Sequence, residues 1–153
     1  MNASLDLQLR RWCAASALAL LVLLAPAPAP ALDVPVFLGD VGVGKQTPEV
    51  RAELRSLLSA ELSATDFAQV KTQQRFVLST TLLRLDSVVA SDSVRATCVI
   101  SVALLRDNGA TLHAVIRGRA TAEESRTHVE LAQSDALRAA VHSAMTRVPQ
   151  ALR

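Results

Sequence analysis

Residues 94–122 read VRATCVISVALLRDNGATLHAVIRGRATA. Two runs rich in Val, Ile, Thr and Ala flank Asp107-Asn108-Gly109, so the stretch is expected to form a β-hairpin. The side-chain pattern selects the loop length. A two-residue loop of Asn108 and Gly109 sets Leu104 opposite His113, a polar partner for an apolar residue. A three-residue loop instead pairs Leu104 with Leu112, Val102 with Ala114, Ile100 with Ile116, Cys98 with Gly118, and Ala96 with Ala120. One face then becomes wholly apolar, and Gly109 takes the left-handed position of a type I turn with a bulge. The three-residue loop is the expected one, and with it a sheet covered on one side only.

Working outward, residues 34–43 are mostly apolar with β-branched side chains and predict a buried first strand, ended by Gly39, Gly42 and Gly44. Thr47, Pro48 and Glu49 form a helix-start signal. Val50, Leu54, Leu57, Leu58 and Leu62 follow on one stripe, which predicts a helix from Pro48 to about Ala64. Residues 67–70 suggest a short strand. Residues 75–89 contain another, with mixed faces. Phe76, Leu78 and Leu82 favour one parity, and Val77, Leu83 and Leu85 the other. Either a bulge or cover on both sides accounts for this. A last helix, starting between His128 and Asp135, carries Leu137, Ala140, Val141, Ala144 and Val148, and is expected to end before Pro149. The order β-α-(β)-β-β-β-α predicts an α+β two-layer sandwich: a mostly antiparallel sheet with two amphipathic helices on one face.

The amino terminus has a different character. Arg10 and Arg11 precede an apolar core from Cys13 to Leu24, and Ala29-Pro30-Ala31 is an A-x-A cleavage box. Residues 1–31 therefore predict a cleavable export signal, with residues 32–153 as a single domain. The apolar stretch is about 12 residues long, whereas a membrane-spanning helix needs about 20. A lipid anchor needs a cysteine after the apolar core, and Cys13 stands at its start. No lipid anchor and no transmembrane helix after processing are expected, and the periplasm or the exterior is the expected destination.

Removing 31 of 153 residues leaves 122, and the net charge falls from +2 to +1. The hydrophobic share drops from 50% to about 46%, ordinary for a soluble domain. Such an even balance does not suit electrostatic nucleic-acid binding, so no nucleic-acid partner is expected. Cys98 is then the sole cysteine, so no internal disulfide is available. Neither Trp nor Tyr remains; Phe37, Phe67 and Phe76 sit in apolar contexts that suggest core, which argues against stacking-based binding of sugars or single strands.

Catalytic patterns are missing. Gly39-Asp40-Val41-Gly42-Val43-Gly44-Lys45 matches the G-x-x-x-x-G-K core of a phosphate loop between a strand and a helix. The next position, which should be Ser or Thr to hold magnesium, is Gln46. A strand-to-helix turn is the expected role, with small-ligand or phosphate binding through this loop as the alternative function. His113, His128 and His142 lack zinc-site spacing, and Cys98 has no adjacent base in sequence. No enzyme, cofactor or metal is expected.

The other hairpin face is polar. The expected register sets Arg95 opposite Thr121, Thr97 opposite Arg119, Val99 opposite Arg117, Ser101 opposite Val115, and Ala103 opposite His113. Arg95, His113, Arg117 and Arg119 would share one mildly basic surface, the candidate partner face. Guanidinium forks suit carboxylate or phosphate partners.

The leading strand, the helix around Leu54 and Leu62, and the strands through Val77-Leu78-Ser79, Cys98-Val99-Ile100-Ser101-Val102 and Ile116-Arg117-Gly118-Arg119-Ala120 set a pattern, closed by the Ala-rich last helix. It resembles small α/β domains of bacterial envelope accessory proteins, such as outer-membrane activators of penicillin-binding proteins and curli-export-channel relatives. That resemblance implies a non-catalytic, exported module whose partner is another envelope or secreted protein. It carries no functional residue over to this chain.

Overall fold

The computed structural model describes residues 35–72, 74–107 and 111–153. The expected export signal and the hairpin tip, Gly109 included, lie outside them. Strand β1 spans Val36–Gly42, helix α1 Pro48–Ala64, β2 Phe76–Val89, β3 Ser93–Arg106 and β4 Leu112–Ser125. Helix α2 spans Val129–Met145, and a last short helix, α3, spans Val148–Ala151. The four strands lie in the order β1-β2-β3-β4. β1 runs parallel to β2, with α1 as the crossover, and the other pairs are antiparallel. This is the expected α+β sandwich, with one parallel pair added by the crossover.

Helix α1 forms over the residues its stripe and start signal predict. Thr47 holds the cap position with extended backbone, Pro48 opens the first turn, and Leu54 and Leu58 are buried. Gly44, at φ +59°, makes the turn from β1 in a conformation that a side chain disfavours. Residues 67–70 form a turn, not a strand. The Val70 N–H donates to the Phe67 carbonyl, and the Ala68 N–H donates to the Asp66 carboxylate. That local bonding takes the donors a strand would need for a neighbour.

The last helix stops earlier than expected. Pro149 has no N–H to give the Met145 carbonyl, and its ring crowds that carbonyl. α2 therefore closes at Met145, and Pro149 falls in the first turn of α3 instead. Ala132, Ala136, Ala140 and Ala144 recur every fourth residue on α2 and are all fully buried. They form a flat row that lets the helix lie close to the sheet.

The mixed parity of β2 is a bulge. Leu82 pairs with Ile100 and Arg84 with Val99, leaving Leu83 as the extra residue. Leu83 is exposed, and beyond it Leu85 returns to the helix side opposite Cys98. One inserted residue reverses which face every later side chain meets.

From Ala114 onward the hairpin keeps its expected faces but not its expected register. Ala96 pairs with Ala122, Cys98 with Ala120, Ile100 with Gly118, Val102 with Ile116, and Leu104 with Ala114, two residues from the predicted partners. The Arg106 N–H donates to the Thr111 carbonyl, so the connection spans residues 107–110, one more than expected. His113 adds a second extra residue, because Leu105 pairs with Leu112 while Leu104 pairs with Ala114. A shift of two leaves the side chains from Ala114 onward on their own faces, whereas the bulge turns His113 to the helix side and Leu112, expected to face Leu104 in the core, to the open face.

The core lies between the sheet and the two helices, with Phe76, Leu78, Ile100, Leu104, Leu54, Leu58, Leu137 and Met145 at its centre. Thr80 is buried among them at 1% exposure, and its hydroxyl has no partner among the described residues. An unpaired buried hydroxyl costs about 1–3 kcal/mol relative to a paired one. Thr80→Val keeps the shape and removes the polar atom. It should raise stability by about 1 kcal/mol, seen as a melting temperature about 3–6 °C higher.

Candidate functional site

The face of the sheet turned away from the helices is uncovered, and pairing across the strands arranges it in rows. Phe37, Val77, Leu105 and Leu112 form one row across all four strands. Phe37 is 41% exposed and Leu112 56%, with Val77 and Leu105 half-buried. The next row adds Ser79, Ala103 and Val115, of which Val115 is 53% exposed. One end of the face is thus an apolar strip. The Arg75 guanidinium stacks on the Phe37 ring, 5.0 Å from its centre, at the rim.

The following rows are polar. Thr81, Ser101 and Arg117 make one, and Arg84, Val99 and Arg119 the next. Further on come Asp86, Thr97 and Thr121, then Val88, Arg95 and Glu123. The carboxylates of these rows are already compensated. Arg84 binds Asp86 through two hydrogen bonds of 2.6 and 2.7 Å, which hold the Asp86 carboxyl below its usual range. Ser93 and Arg95 bond the two oxygens of Glu123 and lower that carboxyl in the same way. Arg117 and Arg119 have no side-chain hydrogen bond or ion pair among the described residues. The face therefore carries an apolar strip bordered by two uncompensated guanidinium groups.

Three of the four expected residues share this face, and their neighbours differ from those predicted. Arg95 lies opposite Glu123, Val99 opposite Arg119, and Ser101 opposite Arg117. His113 is not among them. As the bulged residue it turns to the helix side, its ring 4.9 Å from that of Phe76. Its Nε2–H donates to the Ala151 carbonyl at 3.0 Å, tying β4 to α3. A tilted contact of this kind closes the end of the core. Phe37, expected in the core, is the aromatic residue on the open face.

Residues 39–45 build no phosphate loop. Gly39, Asp40, Val41 and Gly42 belong to β1, where a bulge sets residues 39 and 40 against Ser79. A phosphate cradle needs consecutive free N–H groups. Here Val41 and Gly42 are engaged in the ladder with Thr80 and Thr81, and Val43 is buried. The first four residues of the alternative site are thus strand and not loop.

Other reactive groups are dispersed. Burial pushes the Cys98 thiol up to about 12, so it stays protonated beneath α2. His142 faces Glu61 at 3.2 Å, and His128 contacts Ser125 at 3.0 Å. A cleft of about 410 Å³ lies beside the starts of the two long helices, lined by Glu49, Glu53, Glu130 and Ser134, where the Ser134 hydroxyl donates to Glu53. Among the described residues no three His, Cys, Asp or Glu side chains converge as metal ligands. No helix among them is long and apolar enough to cross a membrane.

No protein-family profile matches the sequence, and no curated protein matches it. Solved structures share the fold. A hypothetical protein, CT253, from Chlamydia trachomatis superposes with a TM-score of 0.52 at 11% identity, over 76% of this chain and 96% of that one. A minor lipoprotein from Acinetobacter baumannii superposes with a TM-score of 0.51 at 10% identity, over 78% of this chain and 94% of that one. The α+β sandwich described above is thus an architecture also found in a bacterial lipoprotein.

Proposed function

We propose that this protein is an exported, non-catalytic accessory module that binds another envelope or secreted protein through the uncovered sheet face. The supporting observation is the strip Phe37, Val77, Leu105 and Leu112, left open across all four strands beside Arg117 and Arg119. A sheet face meant only for water alternates to polar residues along its whole length. An apolar strip rimmed by polar groups is the pattern of a protein contact. Charge complementarity defines the partner's chemistry: an apolar surface bordered by carboxylates that the two guanidinium groups grip. The three-part amino terminus supports export, to the periplasm or beyond, and the fold shared with a bacterial lipoprotein agrees with an envelope setting.

Paired variants test this. Leu105→Asp and Arg117→Glu each alter the open face without touching the core. Each should reduce partner recovery in an affinity capture at least tenfold, while Arg138→Glu on the solvent side of α2 leaves it unchanged. Equal recovery with all three variants contradicts the proposal. Circular dichroism and melting curves establish that each variant is folded.

A further inference from the structure

Strand β4 lies at the sheet edge, and its hydrogen-bonding groups are not equally free. The Arg117 carbonyl points away from β3, since it accepts from the Arg147 guanidinium at 3.3 Å. The Ser125 carbonyl also points away and accepts the His128 N–H at 2.9 Å. In an antiparallel pair, outward-directed groups recur at every second residue. The N–H and carbonyl groups of Arg119, Thr121 and Glu123 are therefore directed outward too, and none has a partner among the described residues. Between the two engaged carbonyls the fold leaves a short open window of three outward-directed residues, symmetric about Thr121.

We infer that this window pairs with the same window of a second copy of the chain, antiparallel, with Thr121 on the two-fold axis. Side chains discriminate among registers. Centring on Thr121 places Arg119 of each copy opposite Glu123 of the other, two reciprocal ion pairs on the uncovered face. Centring on Arg119 or on Glu123 instead sets like charges against each other, which is unfavourable for directly opposed residues. A register that pairs Arg117 with Glu123 has to share or displace the Arg147 contact at the Arg117 carbonyl, which the Thr121 register leaves intact. The Thr121 register forms about six main-chain hydrogen bonds and joins the two sheets into one of eight strands. Thr121 meets Thr121 on the open face, and Ala120 meets Ala122 on the helix side, where small side chains admit close approach. Glu123 has room for the second guanidinium, because an ionised carboxylate accepts about four hydrogen bonds and Ser93 and Arg95 supply two. The window shares Arg119 with the proposed partner face, but the two readings are tested apart, because the partner-face variants are at Leu105 and Arg117, which the window does not pair.

Sedimentation velocity of the purified protein over a range of concentrations should show a monomer–dimer equilibrium. Arg119→Glu alone and Glu123→Arg alone should each weaken self-association at least tenfold, because each homodimer then opposes two like-charge pairs. Mixing those two variants should restore dimer, since both cross-strand pairs become opposite in charge. Thr121→Cys should give a disulfide-linked dimer on mild oxidation that Val115→Cys does not, with buried Cys98 unable to compete. Unchanged circular dichroism shows that the variants remain folded. A monomer at every concentration, dimerisation indifferent to both charge reversals, or no recovery on mixing overturns the inference.

Discussion

Replacing Gly118 with alanine is expected to destabilise the protein by about 3 kcal/mol, and Gly118→Val to prevent folding, because the site is overpacked by any side chain. Gly118 lies at the middle of β4 on the helix side, opposite Ile100. A Cβ built there collides with the Ala140 carbonyl oxygen of α2 and stands 3.0 Å from both the Ala144 Cβ and the Ile100 Cγ1. The obstacle is backbone on one side and fully buried side chains on the other, so nothing flexible can yield. The alanine row on α2 brings the helix down onto the strand, and the glycine completes that approach from below. Equilibrium urea unfolding would read the loss as a lower midpoint. A half-buried glycine with room around it gives a useful contrast. Gly42→Ala meets nothing closer than 3.8 Å and should cost far less.

Phe76→Ala is expected to cost about 3–5 kcal/mol, the range for deleting a buried aromatic ring from a packed core. Phe76 is 2% exposed and opens β2, paired with Val36 on one side and Arg106 on the other. Its ring also carries His113, whose imidazole bonds the Ala151 carbonyl of the last helix. The substitution should therefore loosen the crossover strand, the β4 bulge and α3 together. Hydrogen exchange should show lost protection at all three places, where a simple cavity loosens only its lining. Loss confined to β2 would show that His113 holds α3 without the ring.

Much of this architecture is legible in residue types, for identifiable reasons. Helix α1 has both a start signal and a stripe, so its bounds follow from local chemistry. The faces of the hairpin are legible because every second residue from 94 to 104 is apolar, while the intervening positions are mixed. Its register is not, because turn length and the bulge at His113 are backbone choices that leave no signature in side-chain type. The contradictory parity of β2 did contain the bulge at Leu83, but the same pattern also fits a strand covered on both faces. Only the position of the helices separates the two. Glycines misled in β1. Residues 39–45 resemble a loop by composition, yet parallel pairing with β2 absorbs the first four as strand.

The candidate face was half legible. Arg95, Arg117 and Arg119 are polar residues at alternating positions, and their shared face follows from parity alone. The apolar strip beside them depends on alignment across four strands, two of which are joined through a helix. Phe37, Val77, Leu105 and Leu112 are each unremarkable apolar residues in the sequence. A sign was present: Val77, Leu105 and Val115 all fall on the parity opposite to the core, where polar residues were due.

Site-specific photocrosslinking in the cell tests the central claim most directly, with a reactive side chain placed at Leu105 on the open face or at Arg138 on the helix layer. A discrete crosslink from Leu105 to a different protein, with none from Arg138, is the predicted result. Crosslinks that form equally from both positions, or from Arg138 alone, would contradict a partner bound through the uncovered sheet.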